Sequence, residues 1–317
     1  MDRSQFLAIR GYILGGFLVL FSAVVFHLLS GGYFFDFGNV MDLLHHGAVM
    51  GILALGLTFV IIGGEFDISF ANLTAFAGVI IANCLLKWQW NTELALVVSL
   101  ALVICFGLIN GFSVGYLEYP SMAVTLAAAN IALGLNYVVS GGRPIYGNLP
   151  SAFRFLGTGS IASIPVPVLI LLFSYALAYV VIHRTSFGQH LYATGENPDV
   201  AFTAGVNPRA LKALSFLISS VTAFLGGAIN VAWIGSGQPV VGPPYLIEAF
   251  AAVFLGAALN PHGKPNIPGT FIGALLSSSV FNGVTLMGLP YYLHQVINGG
   301  ILLLSLLIRA LLRRRTS

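Results

Sequence analysis

The chain has 317 residues, of which 13 are Lys or Arg and 10 are Asp or Glu; 7% are charged, 57% are hydrophobic, and the mean hydropathy is +0.93. Soluble domains carry about 25% charged residues, so this composition cannot supply a water-facing shell, and it excludes disorder, a disulfide scaffold and nucleic-acid binding. The pI near 8.9 comes from basic residues at the ends of apolar runs, not from a patch. The expected fold class is all-α: a polytopic integral membrane protein, multi-pass in lipid, with 1–317 forming one transmembrane domain.

A bilayer-spanning helix needs about 20 mostly apolar residues. In chain order the sequence predicts ten such helices, at 11–29, 45–62, 70–86, 94–114, 121–139, 164–182, 214–234, 246–259, 269–287 and 292–309. The eighth is short, and only 63–69 joins the second to the third. The first run has basic residues ahead of it but no small-x-small cleavage site, so it reads as a retained span. With ten spans, ten of the 13 basic residues fall on one side and Lys87, Arg143 and Arg154 on the other. Cytoplasmic loops carry the excess of Lys and Arg, so both termini are predicted cytoplasmic. Lys264 and the basic tail 313–315 are assigned to orientation alone. Cys84 and Cys105 both lie within apolar runs and read as buried small apolar residues.

The largest predicted inside loop covers about 183–213. Asn197 is a good N-cap, Pro198 suits the first helical position and Asp199 complements the positive helix end. Gly205 fits the left-handed residue that stops a helix. A helix of about two turns over 198–204 is therefore expected, and Asn207 with Pro208 starts the next span. Such a rigid helix between two spans can fit a groove on a partner and pass motion to the membrane; it can equally be an ordinary capped loop.

Three segments then carry a resemblance. GQHLYATGENPDVAFTAG over 188–205 resembles the coupling loop of ABC-importer permeases, and GGEFDISFANLTAFAG over 63–78 resembles a Gly-x-Asp-Leu-Ser-Val-Gly-Ser motif of the sugar group. EAFAAVFLG over 248–256, followed by GKPNIPGTFIGAL over 263–275, is similar to a third. They occur in the order found in inner-membrane permeases for ribose, galactose and related sugars. The resemblance implies a second permease, either another copy or a related chain, and cytoplasmic ABC ATPase subunits that hold the ATP and Mg. It also implies an extracytoplasmic solute-binding protein, the bacterial inner membrane, and no catalysis, cofactor or metal on this chain. Gly195, Glu196, Asn197, Pro198, Asp199, Phe202, Ala204 and Gly205 would contact the ATPase. Glu65 and Glu196 depart from the usual residues, which leaves the solute open among a sugar, a nucleoside and a branched-chain amino acid.

Charged and polar residues at membrane depth invite functional hypotheses. Glu65 and Asp67 follow a double glycine and mark either a broken helix lining a cavity or a plain surface turn. Polar stripes at helical spacing comprise Asn130 with Gly134 and Tyr137, Ser278 with Asn282, and His294 with Asn298 and Ser305. They bond helix to helix or offer hydrogen bonds to a neutral solute. The residues expected near the translocation pathway are Asp67, Phe70, Asn72, Asn130, Tyr137, Asn282, His294 and Asn298. Glu248 reads as a water-facing residue at a span entrance. Glycines at every fourth position (107, 111, 115; 269, 273) predict close helix approach. An ion-coupled secondary transporter is the alternative, with Glu65 and Asp67 as its carboxylates; a membrane enzyme would need a clustered catalytic set that the sequence does not offer.

Overall fold

Helices fill almost the whole chain because each apolar run must satisfy its backbone internally in lipid. A computed structural model describes residues 3–314; Arg315 of the basic tail lies outside the described residues. The helices are α1 Arg3–Leu29, α2 Phe37–Ile62, α3 Ser69–Ala82, α4 Thr92–Gly115, α5 Ser121–Ser140, α6 Ser151–Thr158 and α7 Val166–Arg184. They continue as α8 Ser186–Glu196, α9 Pro198–Thr203, α10 Pro208–Ile234, α11 Pro243–Ala258, α12 Ile267–Leu286 and α13 Tyr291–Arg314. Among the described residues eight helices are long and apolar enough to cross a membrane, and Pro243–Ala258 and Tyr292–Leu307 are shorter apolar helices. The chain is an all-α multi-pass membrane protein.

Capping explains where many helices begin. The side chains of Asp36, Asn91, Asn207 and Asn266 each accept a backbone N–H in the first turn of α2, α4, α10 and α12. Gly141 and Gly235 end α5 and α10 in the left-handed conformation.

The core is built on α2, α3, α10 and α11, whose apolar side chains are buried nearly all round, while α1, α4, α5 and α7 turn one face outward. The outward faces carry Leu, Ile, Val and Phe, as lipid contact requires. Cys105 belongs to such a face: Cys84 is buried but Cys105 is exposed, because α4 gives only one stripe to the bundle. That stripe includes the predicted glycines, and a methyl added at Gly111 would lie 2.7 Å from the carbonyl oxygen of Ala213 on α10. Gly269 and Gly273 do the same service where α12 crosses Gly256 and Ala252 of α11.

The two ends of the bundle differ. One carries α8 and α9, the 63–68 turn, the 116–120 loop and the 259–266 loop. The other carries two antiparallel strand pairs: β1 Ile145–Tyr146 with β4 Ser236–Gly237, and β2 Ser160–Ile161 with β3 Ile164–Pro165. Between α5 and α7 the chain folds as β1, α6 and the β2–β3 hairpin, and β1 reaches across to β4 after α10.

Candidate functional site

At the α9 end, Asn197 is extended (φ −158°, ψ 101°), which breaks α8 from α9. Its side-chain oxygen accepts from Asp199 N and Val200 N, both at 3.1 Å. Gly205 has φ +84° and closes α9, with the Val206 amide donating to Ala201 O at 3.0 Å. The helix stops at Thr203, one residue before the predicted end, and α8 ahead of it forms where the sequence predicts loop. Ala201 faces inward, whereas Val200 is 62% and Phe202 70% exposed. Asp199, Ala204 and Gly205 are exposed beside them.

Three ion pairs tie this segment to three other loops. Glu196, at the end of α8, pairs with Lys264. Lys212 Nζ on α10 lies 2.6 Å from Glu65 Oε1, and Arg209 lies 2.9 Å from Glu118 Oε1. Lys264 is therefore more than an orientation residue: it joins the α11–α12 loop to α8, where the Tyr192 hydroxyl also donates to Pro265 O at 2.6 Å. Gly195 packs against the 63–64 turn so closely that a methyl on Gly64 would lie 3.1 Å from its Cα. Two clefts, of about 490 and 400 Å³, flank the segment, and Glu65 lines both.

The α2–α3 connection is a tight turn whose Gly64, Glu65 and Phe66 line the larger of these two clefts, and its two acids part company. Glu65 reaches Lys212, while Asp67 is buried. One Asp67 oxygen accepts from Ser69 N at 2.8 Å and Ser69 Oγ at 2.6 Å; the other accepts from Ser219 Oγ on α10 at 2.7 Å. Asn110 on α4 donates to Ser69 Oγ at 2.9 Å and extends the network to a fourth element. Burial pushes the Asp67 carboxyl above the usual range, and the hydrogen bonds from Ser69, Ser219 and the Phe70 amide oppose that push.

The remaining predicted pathway residues do not form one cluster. Phe70 is buried beside Asp67, and Asn72 donates to Ala129 O at 3.0 Å, bridging α3 to α5. Asn130 and Tyr137 lie on the outward face of α5, and Asn130 donates to Leu126 O of its own helix. Asn282 exchanges two amide hydrogen bonds with Asn39 of α2, at 2.9 and 2.8 Å. His294 is buried, its ring lies tilted at 45° to Phe281 with centroids 4.5 Å apart, and it approaches Thr285 Oγ1 at 3.5 Å; Asn298 is buried one turn further along α13.

Glu248 corrects the sequence reading most sharply. It is fully buried, with Oε2 3.6 Å from His46 Nε2. The adjacent histidines point apart: His45 stacks on Trp233 at 5.1 Å and His46 on Phe281 at 4.2 Å. Among the described residues no group of three or more His, Cys, Asp or Glu side chains is placed to hold a metal ion.

Comparison with known proteins finds transport permeases. The ribose import permease protein RbsC of Bacillus subtilis is 30% identical over 93% of this chain and 92% of its own length. The protein of the same name from Escherichia coli K12 is 30% identical over 87% and 86%. The xylose transport system permease protein XylH of Haemophilus influenzae is 28% identical over 89% of this chain and 92% of its own length. No solved structure matches. Residues 39–306, from early in α2 to well into α13, match the family described as branched-chain amino acid transport system / permease component, and the chain belongs to that family.

Proposed function

We propose that the chain is the membrane-spanning subunit of a bacterial inner-membrane ABC importer for a sugar or a similar small neutral solute. The relatives named for ribose and xylose favour a sugar. In this reading the ten apolar helices all span, both termini are cytoplasmic, and 183–213 is the coupling loop of a single permease domain. A solute-binding protein docks on the end that carries the strand pairs. A second permease, identical or related, covers the outward polar stripe of Asn130 and Tyr137, which suits a protein neighbour better than lipid.

The observation that carries the proposal is α9 itself. An exposed apolar pair, Val200 and Phe202, stands on a helix capped at both ends and flanked by ion pairs. A rigid knob of this kind transmits force in both directions, so ATP and Mg held by the partner ATPase can drive the spans without any catalytic group here. Secondary transport finds no support at Asp67, whose lone pairs are already engaged.

The test is a mild-detergent pull-down of the chain from its native membrane. An ATPase subunit is expected to co-purify with the wild type. Phe202→Asp should cut its recovery at least roughly tenfold, as loss of an apolar anchor does, without altering the thermal unfolding of the permease. Gly205→Glu, at a positive φ, should do the same by disturbing the end of α9. A chain that purifies alone and moves solute in ATP-free vesicles under an ion gradient would sink the reading.

A further inference from the structure

Four helices bring polar groups together in the half of the bundle farthest from α9. At 1.5 Å per residue, His46 lies about 14 Å along α2 from Phe37 and Glu248 about 8 Å along α11 from Pro243. Tyr245, one turn before Glu248, stacks on His46 at 5.6 Å, and its hydroxyl oxygen accepts from Asn230 Nδ2 of α10 at 3.2 Å. From α12, Ser278 faces Gly47, where an added methyl would sit 3.4 Å from Ser278 Oγ. Ser277 lies one turn before Phe281, the ring that stacks on His46.

What sets this cluster apart is its unused hydrogen-bonding capacity. Among the described residues neither carboxylate oxygen of Glu248 has a hydrogen-bond partner, and His46 Nδ1, Ser277 Oγ and Ser278 Oγ have none either. All these atoms are shielded from the surface. A carboxylate buried without hydrogen bonds is destabilising, and native structures rarely keep such groups without a functional reason. Asp67 demonstrates that this fold can satisfy a buried carboxylate completely when the role is structural.

The chemistry selects the ligand. The Glu248 carboxyl can engage two hydroxyls at once, through its acceptor oxygens and, when protonated, through its own O–H. Serine hydroxyls donate or accept as needed. A zwitterionic solute would need a free cation for its own carboxylate, and His46 already faces Glu248. We propose that Glu248, with Ser277 and Ser278, is a hydroxyl-recognition site for a neutral polyhydroxylated solute in transit. The site rests on the sugar-importer reading, and it assigns the specificity of the membrane step to α11 and α12.

The test uses the complete transporter, with its ATPase and binding protein, in liposomes. The probes are labelled D-ribose, D-xylose and their monodeoxy analogues. Wild-type uptake of neither pentose, or of leucine instead, overturns the sugar-importer reading and this site with it. With pentose uptake in hand, Glu248→Gln is expected to slow it roughly tenfold while the amount of assembled complex stays the same. It should also narrow the preference for the parent sugar over at least one deoxy analogue. The binding protein is common to both samples, so a changed preference reports the permease. Wild-type rate and preference in Glu248→Gln overturn the site. Should that variant not assemble, Ser278→Ala carries the test, with a fall of roughly threefold and a narrowed preference expected; unchanged uptake and preference there overturn the site equally.

Discussion

Asp67 and Glu248 are both carboxylates buried inside a membrane bundle, yet they are treated in opposite ways. Around Asp67 a turn, two serines and a neighbouring helix converge, so that both oxygens accept hydrogen bonds of 2.6–2.8 Å. Around Glu248 there are aromatic rings, small residues and one histidine at 3.6 Å. The first arrangement joins α3 to α10 and, through Asn110, to α4. The second leaves acceptors facing the interior without a structural task. Burial alone therefore says little about the role of an ionisable group in this protein; the census of its partners says more.

The largest effect expected from this contrast is on stability. Asp67→Ala strands the donors of Ser69 and Ser219, at a cost of about 3 kcal/mol. Glu248→Gln replaces a buried carboxyl that no hydrogen bond satisfies and should leave stability unchanged or raise it. Cys84, buried in the turn that follows α3, is a natural reporter. A thiol-reactive dye should label it only on unfolding, in a Cys105→Ser background that silences the outward cysteine. If both variants lost equal stability, Glu248 would be structural too and the contrast would fail.

A second effect concerns the half-buried pair Lys212–Glu65, whose side chains are 20% and 15% exposed. Lys212→Glu places two acids beside each other where α10 meets the α2–α3 turn, four residues before the core helix α3 begins. The expected loss is about 1–2 kcal/mol, recovered in large part by the double swap with Glu65→Lys. The same variant should weaken ATP-dependent uptake more than it weakens ATPase binding, because it loosens the link between coupling segment and spans while leaving Val200 and Phe202 in place. Equal losses of binding and uptake would place Lys212 in the docking surface itself.

Much of this was legible in the sequence, and the exceptions have physical causes. Apolar runs mark helices because lipid leaves the backbone no alternative, and the Asn197-Pro198 and Asn207-Pro208 pairs start α9 and α10 where capping rules put them. The helix α8 was not legible: it has no capping side chain, and Gly188 and Gly195 make its run look like a loop until Leu191 is seen buried beneath it. Glu248 departs from its expected water-facing position for one local reason. Pro243 and Pro244 begin α11 ahead of the apolar run, which carries Glu248 inside the bundle rather than leaving it at the entrance. The partners of Lys264 and Asp67 come from segments far apart in sequence, and no local pattern announces them.

The smallest effect expected is at Arg209–Glu118, and it bounds the argument from below. The pair is as short as any good hydrogen bond, 2.9 Å, yet its side chains are 60% and 67% exposed. Water competes for both charges and salt screens them, so the net contribution of such a pair is about 0–1 kcal/mol. Arg209→Ala should shift thermal unfolding by little, and the difference between low and high salt should be smaller in the variant than in the wild type. The position of Arg209, two residues after the cap of α10 and on the wall of the cleft beside Phe202, gives the variant a second readout. Should Arg209→Ala lower ATPase recovery in the pull-down while leaving unfolding unchanged, the guanidinium faces the partner and its bond to Glu118 only holds it in position. Should both stay at wild-type values, the pair is a solvated surface contact, and the mechanical link between α9 and the spans runs through Lys212 and Lys264.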